Sequence, residues 1–160
     1  MRRLFIDLDG VLADFDTSAK NILGMHPRSF EEEFGSNEFW SRLSGVHRFY
    51  YNLDLYPGAV AFMEALAEYD PWILTGCPSN IPESHYDKQE MVKSRLGKNT
   101  PIITTQSKYK SNFCSPGDVI VDDWPKHMEA WVNKGGIWIL HENFEKSLEE
   151  VRMAMGGFYD

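Results

Sequence analysis

Apolar residues fall into short continuous runs, separated by longer stretches where they recur at helical spacing. Residues 4–8, 72–75, 119–121 and 137–140 are such runs, each bounded by turn-forming or polar positions, and 101–104 is a fifth, weaker one. Runs this short read as buried strands. Between them, Ala59, Val60, Phe62, Met63 and Leu66 share one helical face, 90–96 closes on Gly97, 125–134 closes on Gly135-Gly136, and 145–155 predicts a last helix. Alternating strands and helices predict an α/β fold with a Rossmann-like, doubly wound parallel sheet of five strands.

One interval breaks the alternation. From Gly10 to the Pro57-Gly58 turn no strand run occurs, which predicts a small helical cap inserted after the first strand. The expected division is a core of residues 1–13 and 58–160 and a cap of residues 14–57. This interval is also the most aromatic part of the chain, with Phe15, Phe30, Phe39, Phe49 and Tyr50 among its rings. Most of them are expected to pack the cap, and a few to line a pocket for a flat ligand, because aromatic faces stack on bases at ~1–3 kcal/mol each.

Composition narrows the function. The 160 residues are 42% hydrophobic and 14% aromatic, enough for a real core and against global disorder. With 16 Lys+Arg against 24 Asp+Glu the net charge is −8, which disfavours a nucleic-acid polymer as partner but leaves room for a small anion held with a metal. The two cysteines, Cys77 and Cys114, have no zinc-ligand spacing and suggest no disulfide framework. The first apolar run meets Asp7 too soon for a signal segment, and no run approaches the ~18–20 residues of a membrane span. A cytoplasmic protein without a membrane partner is expected, and a homodimer is compatible with this reading.

The chemistry gathers at strand ends. The first strand runs into Asp7-Leu8-Asp9-Gly10, and a later one into Asp122-Asp123. If the strands are neighbours, four carboxylates converge, an arrangement that calls for a cation. Oxygen donors without His or Cys point to Mg²⁺. For Asp123 alone, capping the helix that begins at Pro125 is the competing role. Thr75-Gly76 follows a third strand as a phosphate cradle, and Lys108 or Lys110 could neutralise phosphoryl charge.

Together, Asp7-Leu8-Asp9-Gly10-Val11, Thr75-Gly76, Lys108 and Asp122-Asp123, in this order, resemble the four motifs of the haloacid dehalogenase superfamily of phosphohydrolases. More narrowly, Asp9-Gly10-Val11-Leu12-Ala13-Asp14-Phe15, the cap placed directly after it and Phe49-Tyr50 resemble the 5′(3′)-deoxyribonucleotidase family. The resemblance implies a Mg²⁺-dependent phosphomonoester hydrolase in which Asp7 is the nucleophile and Asp9 the general acid and base. It further implies that Thr75, Gly76 and Lys108 bind phosphate, that Asp7, the Asp9 backbone carbonyl and Asp122 hold the metal, and that Asp123 acts through water or as an orienting group. Phe15, Phe49 and Tyr50 become the expected base pocket. The implied partner is a small phosphorylated substrate, a nucleoside monophosphate, with sugar phosphates or other small phosphomonoesters as the alternative. A non-catalytic phosphate-binding or receiver-type module is a remoter alternative, since a receiver carries its adjacent acid pair on the first strand and its phosphoacceptor later.

Overall fold

A computed structural model describes residues 1–156, so the last four positions of the expected core lie outside the described residues. Its centre is a sheet of β1 (Leu4–Ile6), β2 (Trp72–Gly76), β3 (Ile102–Thr105), β4 (Val119–Asp122) and β5 (Ile137–Leu140), in the order β3-β2-β1-β4-β5. Every neighbouring pair is parallel. The chain builds outward from β1 through β2 and β3, then returns to the other side of β1 for β4 and β5. That return creates a switch point between β1 and β4, and the crevice at the carboxyl ends of such strands is where ligands collect. Receiver domains place β1 between β2 and β3, whereas here it lies between β2 and β4.

The first strand is shorter than its apolar run. The Leu8 carbonyl accepts from the N–H groups of Val11, Leu12 and Ala13, so the chain coils back instead of carrying Asp7 and Asp9 along one extended face. Gly10 takes φ +83° in this coil, a conformation glycine reaches without strain.

Side chains alternate across the strands and divide the core. Leu4, Ile6, Ile73, Val119, Val121 and Ile139 belong to the larger apolar cluster, joined by residues of α4 (Ala59–Ala65), α5 (Ser84–Arg95) and α7 (Phe144–Met155). Phe5, Leu74 and Ile120 face the other way, onto Trp131 of α6 (Met128–Asn133) and Phe113 of a 3-10 turn, Ser107–Phe113. Each such buried side chain contributes about 1.5–3 kcal/mol. Two helices differ from expectation: α5 starts at Ser84, well before Glu90, and the segment from Pro125 divides into a 3-10 turn, Pro125–His127, followed by α6.

The inserted segment forms α1 (Phe15–Leu23), α2 (Pro27–Phe34) and α3 (Ser36–Ser44). Asp14 starts α1 by accepting from the Thr17 N–H at 3.1 Å. The segment leaves and rejoins the sheet side by side: Ala13 pairs with Leu55 as an antiparallel bridge, flanked by Asp14 N–H to Asp54 O and Tyr56 N–H to Leu12 O, both 2.8 Å. Arg48 ties it to α5 through Asp87 at 3.0 Å, and Arg95 reaches back to the carbonyls of Leu53 and Tyr51. Among the described residues no helix is long and apolar enough to cross a membrane.

Candidate active site

Register brings the first two acids together. Ile6 pairs with Val121, and the Asp7 N–H still bonds the Val121 carbonyl at 2.9 Å, so Asp7 emerges beside Asp122, the last residue of β4. Both are buried. Between them sits the Lys110 ammonium, 2.9 Å from Asp7 Oδ1 and 2.9 Å from Asp122 Oδ2. The other Asp122 oxygen accepts from the Trp124 N–H at 2.9 Å, which fixes that carboxylate from the far side.

Lys108, the expected phosphate lysine, is elsewhere. In a 3-10 turn the side chains at i and i+3 eclipse, so Ser107, Lys110 and Phe113 form the row that faces the sheet, and Lys108 rotates away. It is exposed, with its ammonium 5.0 Å from the Tyr109 ring. Lys110 is the lysine at the acids.

Asp123 completes the cluster. Oxygens of Asp7, Asp122 and Asp123 lie within 4.8 Å of one another. Gly10 passes directly beneath the Asp123 carboxylate, where even a Cβ would collide, so the coil after β1 and the end of β4 close on each other. The 3-10 turn at Pro125 has Trp124 at its cap position and no side-chain cap bond, so Asp123 does not serve there. Burial, then the Asp122 charge, push the Asp7 carboxyl well above its ordinary value, and Lys110 works against both. Loss of solvent and Asp122 push Asp123, at the outer edge of the cluster, up to about 6. Burial pulls the Lys110 ammonium down, but Asp7 and Asp122 more than offset it and leave it raised.

Three carboxylates, Asp7 and Asp122 buried and Asp123 exposed, stand against one ammonium and leave an excess of negative charge. The donor set consists of hard oxygens, which suits a divalent cation such as Mg²⁺. Asp9 stands apart from this trio.

Asp9 meets a second buried lysine, supplied by the helix on the face of the sheet opposite the 3-10 turn that carries Lys110. Lys88 of α5 is 1% exposed. Its ammonium donates to Asp9 Oδ2 at 2.6 Å, to the Gly76 carbonyl at 2.6 Å and to Thr75 Oγ1 at 3.2 Å. One side chain thereby joins the coil after β1 to the end of β2. In the sequence Lys88 does not stand out, because the first half of α5 is polar. Extending the helix backward would have found it, since Lys88 precedes Met91 and Val92 by three and four positions, on the buried face.

The aromatic trio of the inserted segment lies above this second lysine. The Tyr50 ring is 4.5 Å from Lys88 Nζ. Phe15 stacks on Tyr50 at 6.1 Å, and Phe49 meets both edge-on, at 5.7 Å from Phe15 and 5.1 Å from Tyr50. Phe49 and Tyr50 are buried and Phe15 is half-buried, so in this conformation the rings are packed on one another.

No family model matches the sequence, and no curated protein does. Solved structures share its architecture. A dehalogenase superposes with a TM-score of 0.58 over 94% of this chain and 95% of its own, at 15% identity. The L-2-haloacid dehalogenase of Xanthobacter autotrophicus, with chloropropionic acid covalently bound, gives 0.53 over 100% of this chain and 85% of its own, at 11% identity. An uncharacterised protein from Corynebacterium glutamicum gives 0.50 over 98% and 96%, at 14% identity. The chain therefore has the haloacid dehalogenase-like fold.

Proposed function

We propose that this protein is a hydrolase of small phosphomonoesters, acting through an aspartyl phosphate on Asp7, with (deoxy)nucleoside monophosphates as substrates. The observation that supports it most is the pairing of two acids with two lysines at adjoining strand ends: Asp7 with Lys110, and Asp9 with Lys88.

Asp7 Oδ attacks phosphorus and the P–O bond to the leaving alkoxide breaks, while Asp9 delivers a proton to that oxygen. A water molecule then attacks the aspartyl phosphate, Asp9 takes its proton, and inorganic phosphate leaves with the Asp7 carboxylate restored. Lys110 holds Asp7 in place and supplies positive charge beside the transferring group, and phosphoryl transfer depends chiefly on such positioning and charge. Thr75 and the Gly76 N–H, at the end of β2 beside Lys88, would contribute further contacts to the phosphate oxygens. A divalent cation held by Asp7 and Asp122, with Asp123 behind them, would neutralise phosphate oxygens.

Halide displacement from carbon, which would also use a carboxylate nucleophile, fits less well. Halide departs without a proton, which leaves Asp9 and its buried lysine without a task, and an organic acid would approach three carboxylates. The nucleotide preference draws on the sequence resemblance and on the aromatic trio beside Lys88. Two free cysteines accord with work in a reducing, cytoplasmic setting.

The deciding experiment compares deoxynucleoside monophosphates, sugar phosphates and 2-haloacids with Mg²⁺ present. Phosphate release from nucleotides and acid-stable ³²P labelling of the wild type, absent in Asp7→Asn, are expected. Halide release without phosphate release would overturn the phosphatase reading. Equal rates on nucleotides and sugar phosphates would remove the nucleotide.

A further inference from the structure

We propose that the Ser107 hydroxyl binds substrate, donating to a non-reacting oxygen of the phosphoryl group that Asp7 attacks. The proposal rests on the phosphomonoester reading and adds a binding group from outside the four motifs.

Strand alternation gives the first argument. In the parallel register Ile6 pairs with Ile73, so Leu74 lies beside Asp7, and Gly76, two positions on, points to the same face of the sheet as Asp7 and Asp122. Thr75 points to the other face, where its hydroxyl already accepts from Lys88 at 3.2 Å. The nucleophile's own face at the end of β2 thus carries a residue without a side chain.

Ser107 fills that place. A Cβ built on Gly76 would run into Ser107 Oγ, so not even alanine fits without moving the serine. Gly76 does not take a positive φ, and its backbone does not demand glycine. What demands it is Ser107, whose Oγ, Cβ and Cα all crowd that position, the hydroxyl most closely.

The row along the 3-10 turn gives the second argument. Ser107 and Lys110 are eclipsed at i and i+3, and Lys110 reaches both Asp7 and Asp122. The same row therefore directs Ser107 toward the acids. The hydroxyl is also unspent: Ser107 is half-buried, and among the described residues its Oγ has no hydrogen-bond partner. A donor held against glycine, on the nucleophile's face and with its proton unassigned, suits an anionic oxygen.

Exchanging the hydroxyl between the two positions tests this. Ser107→Ala should lower kcat/KM on the best phosphomonoester by roughly 10–100-fold and weaken inhibition by inorganic phosphate by a similar factor, with an unchanged melting temperature. Gly76→Ser should be impaired by collision, and Gly76→Ser with Ser107→Gly should recover roughly tenfold or more over either single change, because the hydroxyl returns from the other side. Phosphate inhibition and kcat/KM within about twofold of wild type in Ser107→Ala would overturn the proposal, as would a double variant no better than the singles. Should the wild type hydrolyse no phosphomonoester, phosphate binding by calorimetry still decides: weaker binding to Ser107→Ala keeps the hydroxyl while the hydrolase reading falls, and equal binding removes both.

Discussion

Lys110 and Asp7, 103 positions apart in sequence, meet at 2.9 Å, and the same ammonium holds Asp122 at 2.9 Å. All three side chains are withdrawn from water. Breaking a buried pair by removing one partner costs about 3–5 kcal/mol, because the other charge is left uncompensated.

Lys110→Met is therefore expected to reduce kcat by about 10²–10³-fold, the scale of losing one preorganised charge donor. It should also lower Tm by about 6–20 °C in the metal-free protein. Lys108→Met should stay within about twofold in kcat, since its side chain lies on the solvent side of the turn. Steady-state kinetics and thermal melts on the two variants check this, and equal effects would mean that the row facing the acids has been misassigned.

Lys88 makes a different prediction because it pairs with Asp9, the proton donor of the proposed mechanism, rather than with Asp7. A poor leaving group needs that proton and a good one does not. Lys88→Met should lose at least about 10²-fold on alkyl phosphates but under about 10-fold on p-nitrophenyl phosphate. A uniform loss on both would reduce Lys88 to a structural clamp.

Phe49 and Phe15 separate packing from recognition. Phe49 is buried, so Phe49→Ala should cost about 3–5 kcal/mol in stability whatever the substrate. Phe15 is half-buried, and Phe15→Ala should raise KM for nucleotides by roughly 5–160-fold, the worth of one stacked base, while leaving p-nitrophenyl phosphate unaffected. Unchanged nucleotide KM in Phe15→Ala would take that ring out of the pocket.

The acid cluster gives stability a pH dependence with a definite sign. Asp123 rises from 3.8 to about 6 in the folded protein, so its contribution is fully present below the ordinary value and is lost as pH rises through about 6. Asp7 shifts in the same direction. The metal-free protein should lose stability from these groups across that range, and Mg²⁺ should raise Tm more at about pH 7.5 than at about pH 5. At 100 times its Kd a cation adds about 2.7 kcal/mol, or about 5–11 °C for a chain of this size. Melting curves with and without millimolar Mg²⁺ at the two pH values read it out. An equal shift at both would argue against binding at these carboxylates.

Strand positions and the acid pairs were legible in the sequence because buried parallel strands are continuous apolar runs, and paired acids ending them stand out. Lys110 was not distinguishable from Lys108, since the choice depends on which row of a short 3-10 turn meets the sheet. Lys88 was hidden by its own polarity: a buried charge with three acceptors looks, in sequence, like a solvated helix face. The collision at Gly76 joins residues 76 and 107, and only the close approach of the turn to the end of β2 reveals it.

The antiparallel bridge between Ala13 and Leu55 has an implication for engineering. The inserted helices depart and return through adjacent backbone positions, and the five strands pair without them, although their apolar residues share the core beneath. Residues 14–54 thus constitute a cassette. On the proposed function, exchanging that cassette for another helical segment with equally close ends should direct the reaction to new leaving groups, while the acids and Lys110 stay where β1, β4 and the 3-10 turn hold them.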